Sequence, residues 1–100
     1  MLGARVICRL ALLISLAGPL AAAAAEAPPG ASSCSGCHAA SAAVQTPVPR
    51  LAGRATAEIV AAMREFRSGH RPGTVMDRIA KGFSEAETAA IADWYAGQKP

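Results

Sequence analysis

The chain has 100 residues, which is enough for one small domain and no more. Hydrophobic residues make up 52% of it, although many of them are alanines and many lie near the amino end. The formal net charge is +3, with 10 lysines and arginines against 7 aspartates and glutamates. An excess this small gives no indication of nucleic acid binding, and we expect no nucleic acid partner.

The first 25 residues have the pattern of a secretory signal peptide. Two arginines give a basic start, an apolar stretch follows at 10–17, and alanines fill 21–25. The apolar stretch is shorter than the roughly 20 residues of a membrane span. We expect cleavage after Ala25, a mature domain of residues 26–100 in the periplasm, and no stable membrane insertion. An uncleaved amino-terminal anchor is the alternative.

A Cys-x-x-Cys-His motif is formed by Cys34, Cys37 and His38, and this spacing is typical of covalent haem attachment. The two thiols can bond to two vinyl groups on one edge of a haem, and the adjacent imidazole can ligate the iron. We therefore expect one haem c, held by both cysteines, with His38 as an axial ligand. The mature chain is short for a stable core, so the haem would also fill the interior.

Three other interpretations of the cysteine pair are open. A thioredoxin-like redox pair would need a βαβ pattern, and the sequence has no strand pattern. A zinc site would need a fourth ligand, and His70 is the only other histidine. A structural disulfide across so short a loop would stabilise the fold little, because the benefit grows with loop length.

Helix signals follow the motif in chain order. Residues 39–43 are alanine-rich and extend a helical turn, whereas the prolines of 46–49 favour an extended loop. An amphipathic helix begins with Thr56 as N-cap and ends at Gly69. Its apolar stripe consists of Ile59, Val60, Met63 and Phe66.

The carboxyl half adds a loop and two further helical segments. One helical turn is predicted at 76–80 after a loop rich in proline and glycine. Ser84 and Glu87 have the spacing of a capping box, which predicts a final helix over 85–96. The fold class is therefore all-α, with three to four short helices.

Met76 is the best candidate for the second axial ligand, because it lies at the end of the proline- and glycine-containing loop. A thioether ligand favours ferrous iron and raises the reduction potential, which suits an electron carrier. Met63 lies on the apolar stripe and fits a core position better. His70 follows a helix-ending glycine and fits a surface loop. An open iron site is the remaining alternative.

From Ser33 to about Gln98 the sequence resembles the class I cytochromes c, in the cysteine motif, in Pro49-Arg-Leu51-Ala-Gly and in the methionine. The resemblance implies that the Pro49 carbonyl accepts a hydrogen bond from His38 and that Leu51 packs on the haem. Pro47 is the fallback acceptor. It also implies that an aromatic residue of the final helix, Trp94, packs on the amino-terminal helix.

More narrowly, residues 66–84 resemble the cytochrome subunit of flavocytochrome c sulfide dehydrogenases. In those proteins, the cytochrome subunit takes electrons from a flavin subunit that oxidises sulfide. The leading hypothesis is a one-electron carrier between redox proteins, not itself an enzyme. The alternative is the electron-accepting subunit of a flavin-dependent sulfide dehydrogenase, and a third hypothesis is a haem sensor or peroxidase-like protein with an open iron site.

The basic residues of the mature chain are concentrated in its middle. Such residues either form a solvated face or orient an acidic redox partner. They are Arg50, Arg54, Arg64, Arg67, Arg71, Arg78 and Lys81.

Overall fold

A computed structural model describes Gly18 and residues 25–100, so the predicted signal peptide lies almost entirely outside the described residues. The elements are α1 (Ala31–Cys34), α2 (Thr56–Ser68), α3 (Met76–Ala80) and α4 (Glu85–Ala96). Residues 25–100 contain no strand, and the prediction of an all-α fold with three to four short helices is confirmed. Within the same residues, no helix has the length and apolar character needed to cross a bilayer.

Helix α4 is built as its local sequence predicts. The Ser84 side chain accepts a hydrogen bond from the Glu87 backbone N–H at 3.1 Å, and the Glu87 carboxylate accepts one from the Ser84 N–H at 2.8 Å. This capping box satisfies donors that have no partner inside the helix. Four residues of α4 are buried, and they carry its packing: Thr88, Ile91, Ala92 and Tyr95.

Helix α2 ends as predicted but begins differently. Gly69 adopts a left-handed conformation (φ 82°) at the C-cap, where its backbone N–H bonds to the Phe66 carbonyl. The prediction of Thr56 as N-cap is wrong, because the N-cap is Ala55 and no side chain caps the helix. The Thr56 hydroxyl instead donates to the Asp93 carboxylate of α4 at 3.0 Å. A contact between helices thus takes the hydroxyl away from its local role.

The amino-terminal region also differs from the sequence prediction. The short helix α1 lies before the second cysteine, and the predicted extension at 39–43 is not helical. Ala31 is fully buried, and its carbonyl accepts a 2.6 Å hydrogen bond from the Tyr95 hydroxyl. Gly30 precedes the helix with φ 87°, and a Cβ there would lie 2.7 Å from the Phe83 ring. Tertiary contacts therefore determine where α1 forms.

The core is small and lies where α1, α2 and α4 meet. Its buried residues are Ala31, Ile59, Ile91, Ala92 and Tyr95. No large side chain in the described part of the chain is fully buried. A core built mainly from alanine, isoleucine and one tyrosine leaves a domain of this size in need of further apolar packing.

Two neighbouring aromatic residues of α4, Trp94 and Tyr95, bond to the amino-terminal part of the chain. The resemblance placed Trp94 against the amino-terminal helix, but the hydrogen bond to α1 comes from Tyr95. Trp94 is half-buried, and its indole N–H donates to the Ala25 carbonyl at 3.0 Å. The two rings meet edge to face with centroids 4.8 Å apart. Because Ala25 is the last residue of the predicted signal peptide, the bond to its carbonyl belongs to the unprocessed chain.

Candidate haem-binding site

The cysteine motif begins at the last residue of α1 and continues into a tight turn. The Cys34 carbonyl accepts hydrogen bonds from the backbone N–H groups of Cys37 at 3.2 Å and His38 at 2.9 Å. Cys34 is half-buried, Cys37 is exposed, and both thiols are free. The turn therefore places two free thiols three residues apart in sequence, followed directly by an imidazole.

Tyr95 fixes this turn from the side of α4. Its hydroxyl donates to the Ala31 carbonyl, so the Ser35 hydroxyl, 3.1 Å away, donates to the tyrosine oxygen. Burial raises the pKa of the phenol, which keeps the donating proton in place near neutral pH. Burial also raises the pKa of the Cys34 thiol, with hydrogen bonds to the thiol opposing the shift. The first thiol of the motif is thus held mostly in its neutral form.

His38 is oriented by the segment that the resemblance indicated. Its Nδ1 atom lies 2.5 Å from the carbonyl oxygen of Pro49, eleven residues along the chain. A carbonyl can only accept a hydrogen bond, so Nδ1 carries the proton and Nε2 is the nitrogen left for a metal. This is the usual outer contact of a ligating histidine, and it makes the imidazole more basic.

Arg50 holds the loop after His38 to the same segment, although the sequence indicated for it only a place among the basic surface residues. Arg50 donates from Nε to the Ala39 carbonyl at 3.3 Å and from Nη2 to the Ala40 carbonyl at 2.9 Å. The only signal in the sequence was its position directly after Pro49, which does not reveal the partners of its side chain.

Leu51 and the residues after it connect the site to the core. Leu51 is half-buried and, like Cys34, packs against the core cluster. Gly53 has φ 75°, and its backbone N–H donates to the Tyr95 carbonyl at 3.0 Å. The segment that carries the Pro49 carbonyl is therefore anchored on α4, which also holds the cysteine motif.

Met76 is the first residue of α3 and is half-buried. Helix α3 packs on α2, so the thioether is carried by a different element from His38. Two apolar side chains near it in sequence are open to solvent, with Val75 54% and Ile79 38% exposed, and the half-buried Asp77 follows it directly. Among the described residues, His38 contacts Pro49, and Cys34 and Leu51 pack on the same core. No described hydrogen bond or core contact joins Met76 to the cysteine motif.

The two alternative axial residues have other partners. Met63 packs against the core cluster on α2. His70 is exposed, and its Nδ1 lies 2.7 Å from the Ser68 hydroxyl. In residues 25–100, no three side chains of the types His, Cys, Asp and Glu are grouped so as to hold a metal ion, so the zinc interpretation gains no support.

The residues present fit a haem. Two free thiols, an imidazole with Nδ1 already engaged, and a thioether are the types of donor that a c-type haem takes, although the thioether lies on a separate element. Exposed apolar side chains beyond the core, Val44 among them at 54% exposure, offer surface that a porphyrin could cover.

Comparison with known proteins identifies two relatives. The chain is 35% identical over 63 residues to the cytochrome subunit of sulfide dehydrogenase of Chlorobaculum tepidum, and the match covers 63% of this chain and 57% of that protein. The chain resembles an electron-transfer cytochrome subunit. This cytochrome-like chain is also 39% identical over 79 residues to a thiosulfate dehydrogenase electron acceptor of Thiomonas intermedia, covering 76% of this chain and 36% of that protein. No family model matches.

The names of these relatives bear on the cofactor and on electron transfer, not on individual ligands. Both names are those of electron-transfer proteins linked to sulfur oxidoreductases, and a cytochrome implies haem. The cytochrome-like chain spans little more than half of the first relative and about a third of the second.

Proposed function

We propose that the chain is a periplasmic monohaem c-type cytochrome that carries one electron at a time between redox proteins. The contact between His38 Nδ1 and the Pro49 carbonyl carries this proposal, because it orients the imidazole next to the two free thiols. The sequence contains one Cys-x-x-Cys-His motif, which supports a single haem. The relatives support the coarser statement of electron transfer.

Each site residue has one task in this proposal. Cys34 and Cys37 would hold the cofactor covalently through their sulfur atoms, and His38 and Met76 would be the protein ligands of its iron. Pro49 fixes the imidazole plane through its carbonyl, and Leu51 adds apolar packing beside the motif. When bound, the haem supplies an iron atom that accepts one electron and later returns it.

The protein's contribution is to keep the donor atoms fixed during the exchange. The Tyr95 hydrogen bonds hold the cysteine turn, and the Pro49 carbonyl prevents rotation of the imidazole. Fixed ligands reduce the rearrangement that accompanies a change of iron charge. Such fixed donors suit one-electron exchange.

The signal-peptide pattern of residues 1–25 supports the periplasmic assignment and makes it testable. We propose that residues 1–25 are removed and that haem is attached outside the cytoplasm, where the leader would deliver the thiols. The mass of the exported protein should equal residues 26–100 plus one haem, and the reduced protein should give a c-type visible spectrum. A processed protein without a haem, or with its two thiols joined, would contradict the proposed function.

The docking surface for a redox partner is proposed around α3. Five of the seven central basic side chains bond to carboxylates or backbone carbonyls within the chain, as with Arg64 and Glu85 at 2.8 Å. Among the described residues, the exposed side chains of Arg78 and Lys81 form no hydrogen bond or ion pair. They lie within three residues of exposed Val75 or Ile79, and the half-buried Asp77 nearby accepts a hydrogen bond from the Arg78 backbone N–H, so the exposed side chains here are two apolar groups and two cations, which fit an acidic partner.

Charge reversal tests this surface. Arg78→Glu combined with Lys81→Glu should slow electron transfer from an acidic redox partner by about tenfold at low ionic strength, with the difference disappearing at high salt. Stopped-flow absorbance of the haem measures the rate. Lys99→Glu is the matched control, because it also reverses an exposed charge but lies outside α3. Equal rates for the double variant and the control would contradict the docking surface.

The alternative function is the electron-accepting subunit of a flavin-dependent sulfide dehydrogenase. The observation that favours it is the name of the Chlorobaculum tepidum relative. Co-purification with a flavoprotein would support this alternative, whereas a monomer of the mature mass would support the free carrier.

A further inference from the structure

Two chain segments close on each other through three hydrogen bonds around His38. The imidazole bonds to the Pro49 carbonyl, and the Arg50 guanidinium donates to the carbonyls of Ala39 and Ala40. The segment 38–40 is therefore paired with the segment 49–50 across a loop. Because Arg50 follows Pro49 directly, its side chain acts on the same peptide whose carbonyl meets the histidine.

The rest of this loop has only short-range support. Its other hydrogen bonds join residues two or three apart, as from the Val44 N–H to the Ser41 carbonyl at 3.2 Å and from the Val48 N–H to the Thr46 hydroxyl at 3.2 Å. Such turns do not hold the two ends of the loop together. Among the described residues, Arg50 and His38 are the side chains that do.

Arginine is suited to this position in a way that lysine is not. Its planar guanidinium has donors in a fixed arrangement, so Nε and Nη2 can bond to two consecutive carbonyls at once. The Arg50 carbonyl in turn accepts a 2.8 Å hydrogen bond from Arg54 Nε. Both sides of the peptide after Pro49 are thereby restrained.

We infer that Arg50 is a positioning residue that holds the Pro49 carbonyl against His38 and so sets the reduction potential of the haem. The inference rests on the proposed ligation of the iron by His38. A firm hydrogen bond at Nδ1 makes the imidazole more basic, so Nε2 donates its electron pair to iron more strongly. Stronger electron donation to iron favours the ferric state. Weakening the restraint should therefore raise the potential.

Arg50→Lys tests this while keeping the positive charge. We expect its midpoint potential to shift to a more positive value and the Nδ1 proton of His38 to exchange with solvent faster in the reduced protein. Potentiometric titration and proton NMR measure the two quantities. Arg67→Lys is the matched control, because Arg67 also bonds to a backbone carbonyl, that of Phe83 at 2.8 Å, but away from the histidine.

A second variant keeps the test decisive if Arg50→Lys does not yield folded protein. Arg54→Lys removes only the restraint on the Arg50 carbonyl and should shift the potential in the same direction by less. Unchanged or lower potentials in both variants would overturn the inference while leaving a haem protein. Absence of haem from the wild-type protein would instead overturn the proposed function, so the two failures are distinguishable.

Discussion

A protein carrying Cys34→Ala together with Cys37→Ala is expected to contain no covalently bound haem and to lose most of its helical structure. The core holds no fully buried large side chain, so the polypeptide alone buries too little apolar surface to fold stably. Mass spectrometry and far-ultraviolet circular dichroism of the exported protein measure the two losses.

Cys8→Ala is the matched control for this loss. Cys8 lies in the predicted signal peptide, outside the described residues, and its replacement should leave the haem content unchanged. The two single variants should differ in stability. Cys34→Ala should lower the free energy of unfolding more than Cys37→Ala, because Cys34 packs against the core and Cys37 is exposed. A double variant with wild-type circular dichroism would show that the chain folds without its cofactor.

Replacement of Met76 by alanine is expected to open the sixth coordination position of the iron. The ferric protein should lose the weak red absorption band of methionine-ligated haem, its reduction potential should fall, and carbon monoxide should bind rapidly to the ferrous form. Visible spectroscopy and potentiometry measure these changes. Met76 begins α3, and alanine is a good helix former, so the helix itself should persist.

Met63→Ala provides the comparison. Met63 packs against the core from α2, so its loss should reduce the free energy of unfolding by about 1 to 2 kcal/mol while the red band remains. The opposite pattern, with the band lost in Met63→Ala and retained in Met76→Ala, would mean that the axial assignment is wrong.

The sequence predicted those features that depend on neighbouring residues. The capping box of Ser84 and Glu87 and the left-handed Gly69 are local signals, because each satisfies backbone groups within one helical turn. The limits of α4 and the end of α2 followed from them. The one-turn helix at Met76–Ala80 was likewise predicted from its immediate surroundings.

The sequence could not predict features that depend on distant partners. Thr56 has the side chain of an N-cap, but Asp93 lies 37 residues away and takes its hydroxyl. Helix α1 begins at Ala31, whose carbonyl accepts a hydrogen bond from Tyr95, 64 residues away, and no local pattern in the sequence indicates this partner. The role of Arg50 was hidden for the same reason, since carbonyl acceptors leave no mark in a sequence.

The dependence of the first helix on the fourth has a consequence for maturation. If the chain is exported amino end first, as proposed above, Cys34 and Cys37 leave the cytoplasm well before Tyr95. Until Tyr95 follows, α4 is not there to bury Ala31 or to cover part of Cys34. The proposed haem attachment would then take place on an unfolded segment with accessible sulfur atoms, and the domain would fold only after α4 has also been exported.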